Sequence, residues 1–595
     1  MIWRRIRARW NRLTSSAWLS NLPAMLCWAA LAGAAGAGAT IAFHEAIYAI
    51  QFLTVGRSGS ITEIIQSLPW YGRLLMPALG GLAAGLLLWT VSGPKAPKQA
   101  DYMEAVAIGD GRMPIVHGLV RSLSSLFTVV SGGSIGREGA MVHLASLSAS
   151  VIGRFTSFNR SRLRLLVACG AAAGVASAYG APLAGTVFVA EIVLGTTSMS
   201  SFGAMLVAAA SASITMHLSG HYETLYPVMA LSDVTGPQAL PFILLGVVAG
   251  LAAPPFLRSM ELSRRAFLRT GLSLPVRLSL GGLLLGMLLV FMPEVSGNGY
   301  EVVQSLLGEP WTWYAIVLVL ACKVLATALT VGSGGIGGVF TPALFVGAAL
   351  GALFGKVMIA FWPSLATSLD IYVLVGMGSF LGTAAGAPLM AILMIFEMTL
   401  SYQIVLPLML ACVVAYFASR ALAEAGMYEI VLLRERDAAL RRSWARATVA
   451  DLVQPAQTVL SPDARIEQAL QLFLDHPVKY IYVVDDQDVY KGAIAQRDLT
   501  SLLLGRADVQ SLRASDVLRL DCMPVLYPDF TVDQAVAYFV QFRGERMPVV
   551  SREESGKLLG VVHKSEVLKR YREMKRPDEA SSDVALDYSW RRGRR

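Results

Sequence analysis

Ser131-Gly132-Gly133-Ser134-Ile135-Gly136-Arg137-Glu138-Gly139-Ala140 places an arginine and a glutamate, framed by glycines, inside a long and otherwise apolar region. An ionised group in bilayer hydrocarbon costs several kcal/mol, so such groups usually line a pathway. Glycines permit close backbone approach and irregular turns, and a helix that starts there aims free N–H groups at an anion. A glutamate beside such a site can compete for it: ionised it occupies the site, protonated it leaves. That is a gate. Taken alone, the motif fits close helix packing equally well, with Arg137 and Glu138 neutralising each other. The rest of the chain decides.

Of the 595 residues, 55% are hydrophobic and 15% charged, against about 25% charged in an ordinary soluble chain. The composition is that of a polytopic membrane protein. Leu22 to Phe43 is 22 residues without a charge, enough to cross about 30 Å of hydrocarbon as a helix. Arg4, Arg5, Arg7, Arg9 and Arg12 precede it, but the apolar run is too long for a signal peptide, so it reads as a retained first span. Net charge is +9, which five arginines before residue 13 and four after Trp590 account for. The basicity belongs to two short termini, and nucleic acid is not an expected partner. Trp3 and Trp10 among the first arginines suit a cytoplasmic interfacial segment. Cys27, Cys169, Cys322, Cys412 and Cys522 stand singly, so neither a metal site nor a disulfide framework is expected.

Apolar blocks follow at Leu74 to Val91, at Leu165 to Val193, near 202–217, 238–257, 277–292 and 313–331, at Ile371 to Phe396 and at Val405 to Ser419. Two features recur in order. Ser134-Ile135-Gly136 returns as Gly335-Ile336-Gly337, 201 residues on, and Gly180-Ala181-Pro182-Leu183 returns as Gly386-Ala387-Pro388-Leu389, 206 residues on. In both copies a glutamate, Glu191 or Glu397, lies nine residues after the proline. The pairing predicts two structural repeats whose broken helices meet near mid-membrane. Sequence matching does not say whether they are parallel or inverted.

Past Arg434 the pattern changes. Ile466 to Leu474 reads as an amphipathic helix, with strands at Tyr480 to Val484 and Val489 to Ile494. The order repeats at Thr531 to Phe539, Met547 to Val550 and Leu558 to Val562. These are tandem α/β modules outside the membrane. The expected division is 1–440, 444–508 and 509–575, with a disordered basic tail at 576–595.

Residues 15 to 435 resemble the CLC chloride channels and chloride/proton antiporters. The resemblance rests on Gly136-Arg137-Glu138-Gly139, on Gly337-Gly338-Val339-Phe340-Thr341-Pro342, on the two Gly-Ala-Pro-Leu helices and on Tyr428. The modules resemble a CBS-domain pair. The resemblance implies an all-α polytopic membrane domain of two inverted repeats with broken helices, followed by a cytoplasmic α/β CBS pair. It implies a homodimer in a bacterial-type inner membrane with cytoplasmic termini, moving chloride as a gated channel or in exchange for protons, and not an enzyme. Glu138 would be the gate. Gly136, Arg137, Gly139, Gly338 and the N–H groups of Val339 and Phe340 would frame the anion, and Tyr428 would offer its hydroxyl at the inner side. Plural weak donors suit an ion that must also leave.

Departures from the family pattern sharpen the expectation. Ala96-Pro97-Lys98-Gln99-Ala100 stands where Gly-Ser-Gly-Ile-Pro is usual, so a serine donor is lost at Pro97. Ile192 takes the antiporters' inner proton-glutamate position, with Glu191 about 100° away on an α-helix. Ala140 replaces the common proline. In the CBS pair Asp498 is present for a ribose, but Ala495 lacks the usual hydroxyl, and the second copy has His563 and Glu566. ATP or another adenine nucleotide at the CBS pair is the only cofactor left open, beside a purely structural dimer-bracing role. Two alternatives stand: a transporter of fluoride or nitrate, and a CBS-regulated divalent-cation channel, which would need acidic mid-membrane clusters. A membrane-tethered nucleotide sensor leaves the two matched broken-helix sites unexplained.

Overall fold

The computed structural model describes residues 22–91, 102–107, 109–156, 158–194, 199–222, 225–226, 234, 236–422, 448–504, 512–519, 523–542, 544–553 and 556–575. The arginine-rich start, the loop with Pro97, Tyr428 and the basic tail lie outside the described residues. The chain divides into two compact units between Leu433 and Arg434.

The first unit is helical. Among the described residues nine helices are long and apolar enough to cross a membrane. The first, Leu22–Val55, has 34 residues. At 1.5 Å per residue it exceeds the hydrocarbon thickness and must tilt or project. The glycine-rich breaks end two helices in the same way. Ile115–Val130 stops at Gly132 (φ +93°) and Trp313–Ser333 at Gly334 (φ +111°). At each end the two N–H groups beyond the helix return to its last turn: Gly132 to Val129 (3.1 Å) and Gly133 to Thr128 (2.9 Å), Gly334 to Val331 (3.1 Å) and Gly335 to Thr330 (3.0 Å). This Schellman pattern needs a left-handed residue, the conformation glycine adopts without a Cβ penalty.

Beyond the breaks the two halves pair directly. Gly136 N–H donates to Gly338 O and Gly338 N–H to Gly136 O, both at 2.8 Å, as an antiparallel bridge. The structural offset is therefore 202 residues (338 − 136), one more than the 201 of the tripeptide match. Backbone geometry at the caps, not side-chain identity, sets the register. Gly180 (φ +65°) and Gly386 (φ +76°) likewise end Arg160–Tyr179 and Leu369–Ala385. Pro182 and Pro388 open the next helices at a position where no N–H is required.

In the second unit Val459–Leu460 pairs parallel with Tyr480–Val484, which pairs antiparallel with Tyr490–Ala495; Arg546–Val550 pairs antiparallel with Leu558–His563. Helices Ile466–Asp475 and Val532–Gln541 stand at the expected positions. The modules interlock. Gln454 exchanges backbone bonds with Val561 (2.9 and 2.8 Å) and Arg519 with Ala493 (both 3.2 Å), so each module's leading segment joins the other's sheet.

Candidate functional site

The Gly136–Gly338 bridge brings two helix N-termini together, Glu138–Gly153 after Arg137 and Phe340–Phe361 after Val339. In neither does the N-cap side chain, Arg137 or Val339, bond the helix's first N–H groups. Their positive ends and free donors favour negative charge between them. A Cβ on Gly139 would lie 2.8 Å from Gly337 C and Gly338 N, so this approach requires glycine.

Glu138 fills the junction and is 2% exposed. Its Oε1 accepts hydrogen bonds from the Thr341 hydroxyl and, at 3.1 Å, from Tyr300 OH. Its Oε2 is buried without a hydrogen-bond partner among the described residues. No ion pair joins Glu138 to Arg137 among the described residues; the guanidinium carbon instead lies 5.9 Å from the Tyr300 ring centroid. Arg137 lines a cavity of about 170 Å³ with His44, Tyr48, Tyr179 and Tyr222. Tyr179 OH is 3.4 Å from Thr341 Oγ1. The Phe340 ring packs against Phe188 (5.4 Å) and Tyr179 (6.2 Å). The structure thus gathers Gly136, Glu138, Gly139, Gly338, Val339 and Phe340 at one point and turns the Arg137 side chain toward the cavity.

Sequence reasoning missed Tyr300 and Thr341 as partners of Glu138. Tyr300 follows a glycine-rich turn, and Thr341 sits inside the second break. Lys323 is the lone charge of Trp313–Ser333, which is itself a signal in an apolar span.

Glu191 and Glu397 lie elsewhere, in matched positions. Glu397 accepts from the N–H groups of Leu183 (2.9 Å) and Ala184 (2.8 Å), and Glu191 accepts from Met390 N–H (3.0 Å). Each repeat's glutamate caps the other's Gly-Ala-Pro-Leu helix, where the helix end favours a carboxylate. Val189–Leu194 is π-helical, so the 100° step between Glu191 and Ile192 assumed for an α-helix does not apply. Ile192 packs against the hydrophobic core.

In the second unit Asp498 faces Arg519 Nε at 3.2 Å and Arg497 Nε at 3.6 Å. Burial, followed by the Arg546 charge, pushes the His563 imidazole below its usual range, against the opposing pull of Glu545 and Glu566.

The sequence matches the family model described as voltage gated chloride channel over residues 80–420, and the CBS domain model over 449–505 and 514–573. It is 48% identical over 422 residues to a putative chloride channel protein ClcB-like of Ralstonia nicotianae, covering 70% of this chain and 98% of that one. It is 44% identical over 409 residues to the voltage-gated ClC-type chloride channel ClcB of Salmonella dublin, covering 67% and 97%. Among solved structures, a slow cyanobacterial Cl⁻/H⁺ antiporter superposes with a TM-score of 0.62 at 22% identity, covering 69% of this chain and 97% of that one. A eukaryotic CLC transporter superposes with a TM-score of 0.57 at 19% identity, covering 91% and 97%. These two likenesses bear on the fold.

Proposed function

We propose, from the premise that this chain belongs to the voltage-gated chloride channel (CLC) family and is a multi-pass membrane protein with a C-terminal CBS pair, that it passes chloride under the control of a Glu138 gate. The observation that carries the reading is the setting of Glu138. A buried carboxylate sits where two helix N-termini meet, held by neutral hydroxyls rather than by a salt bridge. Such a site is built for one negative charge, supplied by the carboxylate or by an anion in its place. Protonation of Glu138 withdraws the competitor and opens the site. The protein works as a homodimer with the CBS pair on the cytoplasmic side.

Proton coupling is weak in this reading. Ile192 carries no proton, and the Glu191 carboxylate is engaged at Met390 N–H. Reconstitution of the purified protein in liposomes, with chloride efflux and proton movement recorded together, tests the whole. Absence of chloride efflux would overturn it.

Selectivity rests on the Val339 and Phe340 amides and on dehydration cost, with Pro97 offering neither hydroxyl nor N–H. Chloride, bromide and nitrate are therefore expected to exit at similar rates. A strong chloride-over-nitrate preference in the same assay would sink this expectation.

The CBS pair braces the dimer in this reading. Asp498 is ion-paired with Arg519 and Arg497, Ala495 has no hydroxyl, and burial disfavours the charged form of His563. Calorimetric titration of the full-length protein is expected to show no saturable ATP binding tighter than about 1 mM; micromolar affinity would contradict it.

A further inference from the structure

We propose that Lys323 is a positioning residue for the gate: by clamping the turn ahead of Tyr300, it holds the tyrosine hydroxyl on Glu138. The inference rests on the reading of Glu138 as the gate and adds residues that no family comparison assigns here.

Lys323 is fully buried (0% exposed). No carboxylate lies within ion-pairing distance of it among the described residues. Its Nζ donates instead to the carbonyls of Val295 (3.1 Å) and Gly297 (2.9 Å), and it sits 5.0 Å from the Phe345 ring centroid. An ammonium has three donors; two are satisfied by one turn, and an aromatic face shields the charge. Gly297 (φ +55°) and Gly299 (φ +82°) are both left-handed, so the turn is a shape the chain must be held to rather than one it adopts by default. The same turn reaches the gate break, since Gly297 N–H donates to Gly132 O at 3.4 Å. Tyr300 follows at once, opens the helix Tyr300–Gly308, and places its OH 3.1 Å from Glu138 Oε1.

A buried ammonium carries a desolvation cost that a leucine in this span would not. Its two hydrogen bonds go to the one turn that aims a donor at Glu138. The groups facing that carboxylate are Arg137 on its own helix, Tyr300 and Thr341 by hydrogen bond, and Lys323 and Tyr226 at longer range. Tyr179 reaches it through Thr341. Glu301, next to Tyr300, is engaged by the hydroxyls of Ser60 (2.5 Å) and Thr62 (3.1 Å).

The test is chloride efflux from liposomes as a function of pH, using the full-length protein, Tyr300→Phe, Lys323→Met and the double variant. Tyr300→Phe deletes one oxygen that donates to the ionised carboxylate. The ionised form is then less favoured, protonation occurs at higher pH, and the midpoint of the flux profile should rise by about one pH unit. Lys323→Met should move the midpoint the same way, and the double variant no further than the larger single shift. Should Lys323→Met not fold, Lys323→Gln takes its place: uncharged and one bond shorter, it cannot donate to both the Val295 and Gly297 carbonyls as the ammonium does, and the same shift is expected.

A merely structural lysine would lower the melting temperature or the flux at every pH and leave the midpoint in place. That result, an unmoved midpoint in Tyr300→Phe, or additive shifts in the double variant, would each overturn the proposal. The gate reading is separated by Glu138→Gln. If that variant keeps the native pH dependence, the gate reading fails; if it loses it while the shifts add, only the Lys323 inference fails.

Discussion

Glu138→Gln is expected to abolish most of the pH dependence of chloride efflux, together with any proton movement, while leaving anion flux in place. The amide matches the protonated carboxyl in shape and charge, and its carbonyl can still accept from Tyr300 and Thr341. It cannot ionise, so it never competes with an anion for the two helix ends. In the native protein flux should rise as pH falls, because each protonation removes a competing charge from a site that holds one. The variant should run near its open level at every pH. The measurement is efflux at several pH values with a proton-sensitive dye in the same liposomes. A Glu138→Gln protein that kept the native pH profile would place the sensor elsewhere in the chain.

Gly139→Ala is expected to suppress transport by roughly tenfold or more. The added Cβ would meet Gly337 C and Gly338 N at 2.8 Å. Those are backbone atoms of the bridge that joins the repeats, and they cannot swing aside as a side-chain tip would. Relief requires the Gly136–Gly338 hydrogen bonds to lengthen, which separates the two helix ends that create the site. Overpacking of this kind costs about 1–3 kcal/mol, and about 1.4 kcal/mol at the site is a tenfold change in occupancy. Gly38→Ala is the control. It lies in the first span with open space around its Cβ position, and alanine favours the helix. Efflux and size-exclusion profiles of both variants decide the matter. Native flux in well-folded Gly139→Ala would show that the close approach is dispensable.

The sequence by itself determined what is local. Charge-free runs long enough for the bilayer marked the spans. The repeated Gly-Ala-Pro-Leu motif marked the broken helices at Gly180-Ala181-Pro182-Leu183 and Gly386-Ala387-Pro388-Leu389. Short continuous apolar runs marked the strands Tyr480–Val484 and Arg546–Val550 to within a residue. Each of these signals acts within a few residues of chain, through backbone conformation or burial of one face.

The surroundings of Glu138 are not local. Tyr300 reaches Glu138 across 162 residues and Thr341 across 203. Lys323 bonds a turn 26 to 28 residues earlier in the chain. The caps that Glu191 and Glu397 provide cross from one repeat to the other, as do the paired backbones of Gly136 and Gly338. Side chains joined over such distances leave no period or spacing in the sequence. Only the docking of the two repeats, fixed by glycine backbones that permit close approach, decides which hydroxyls meet the carboxylate.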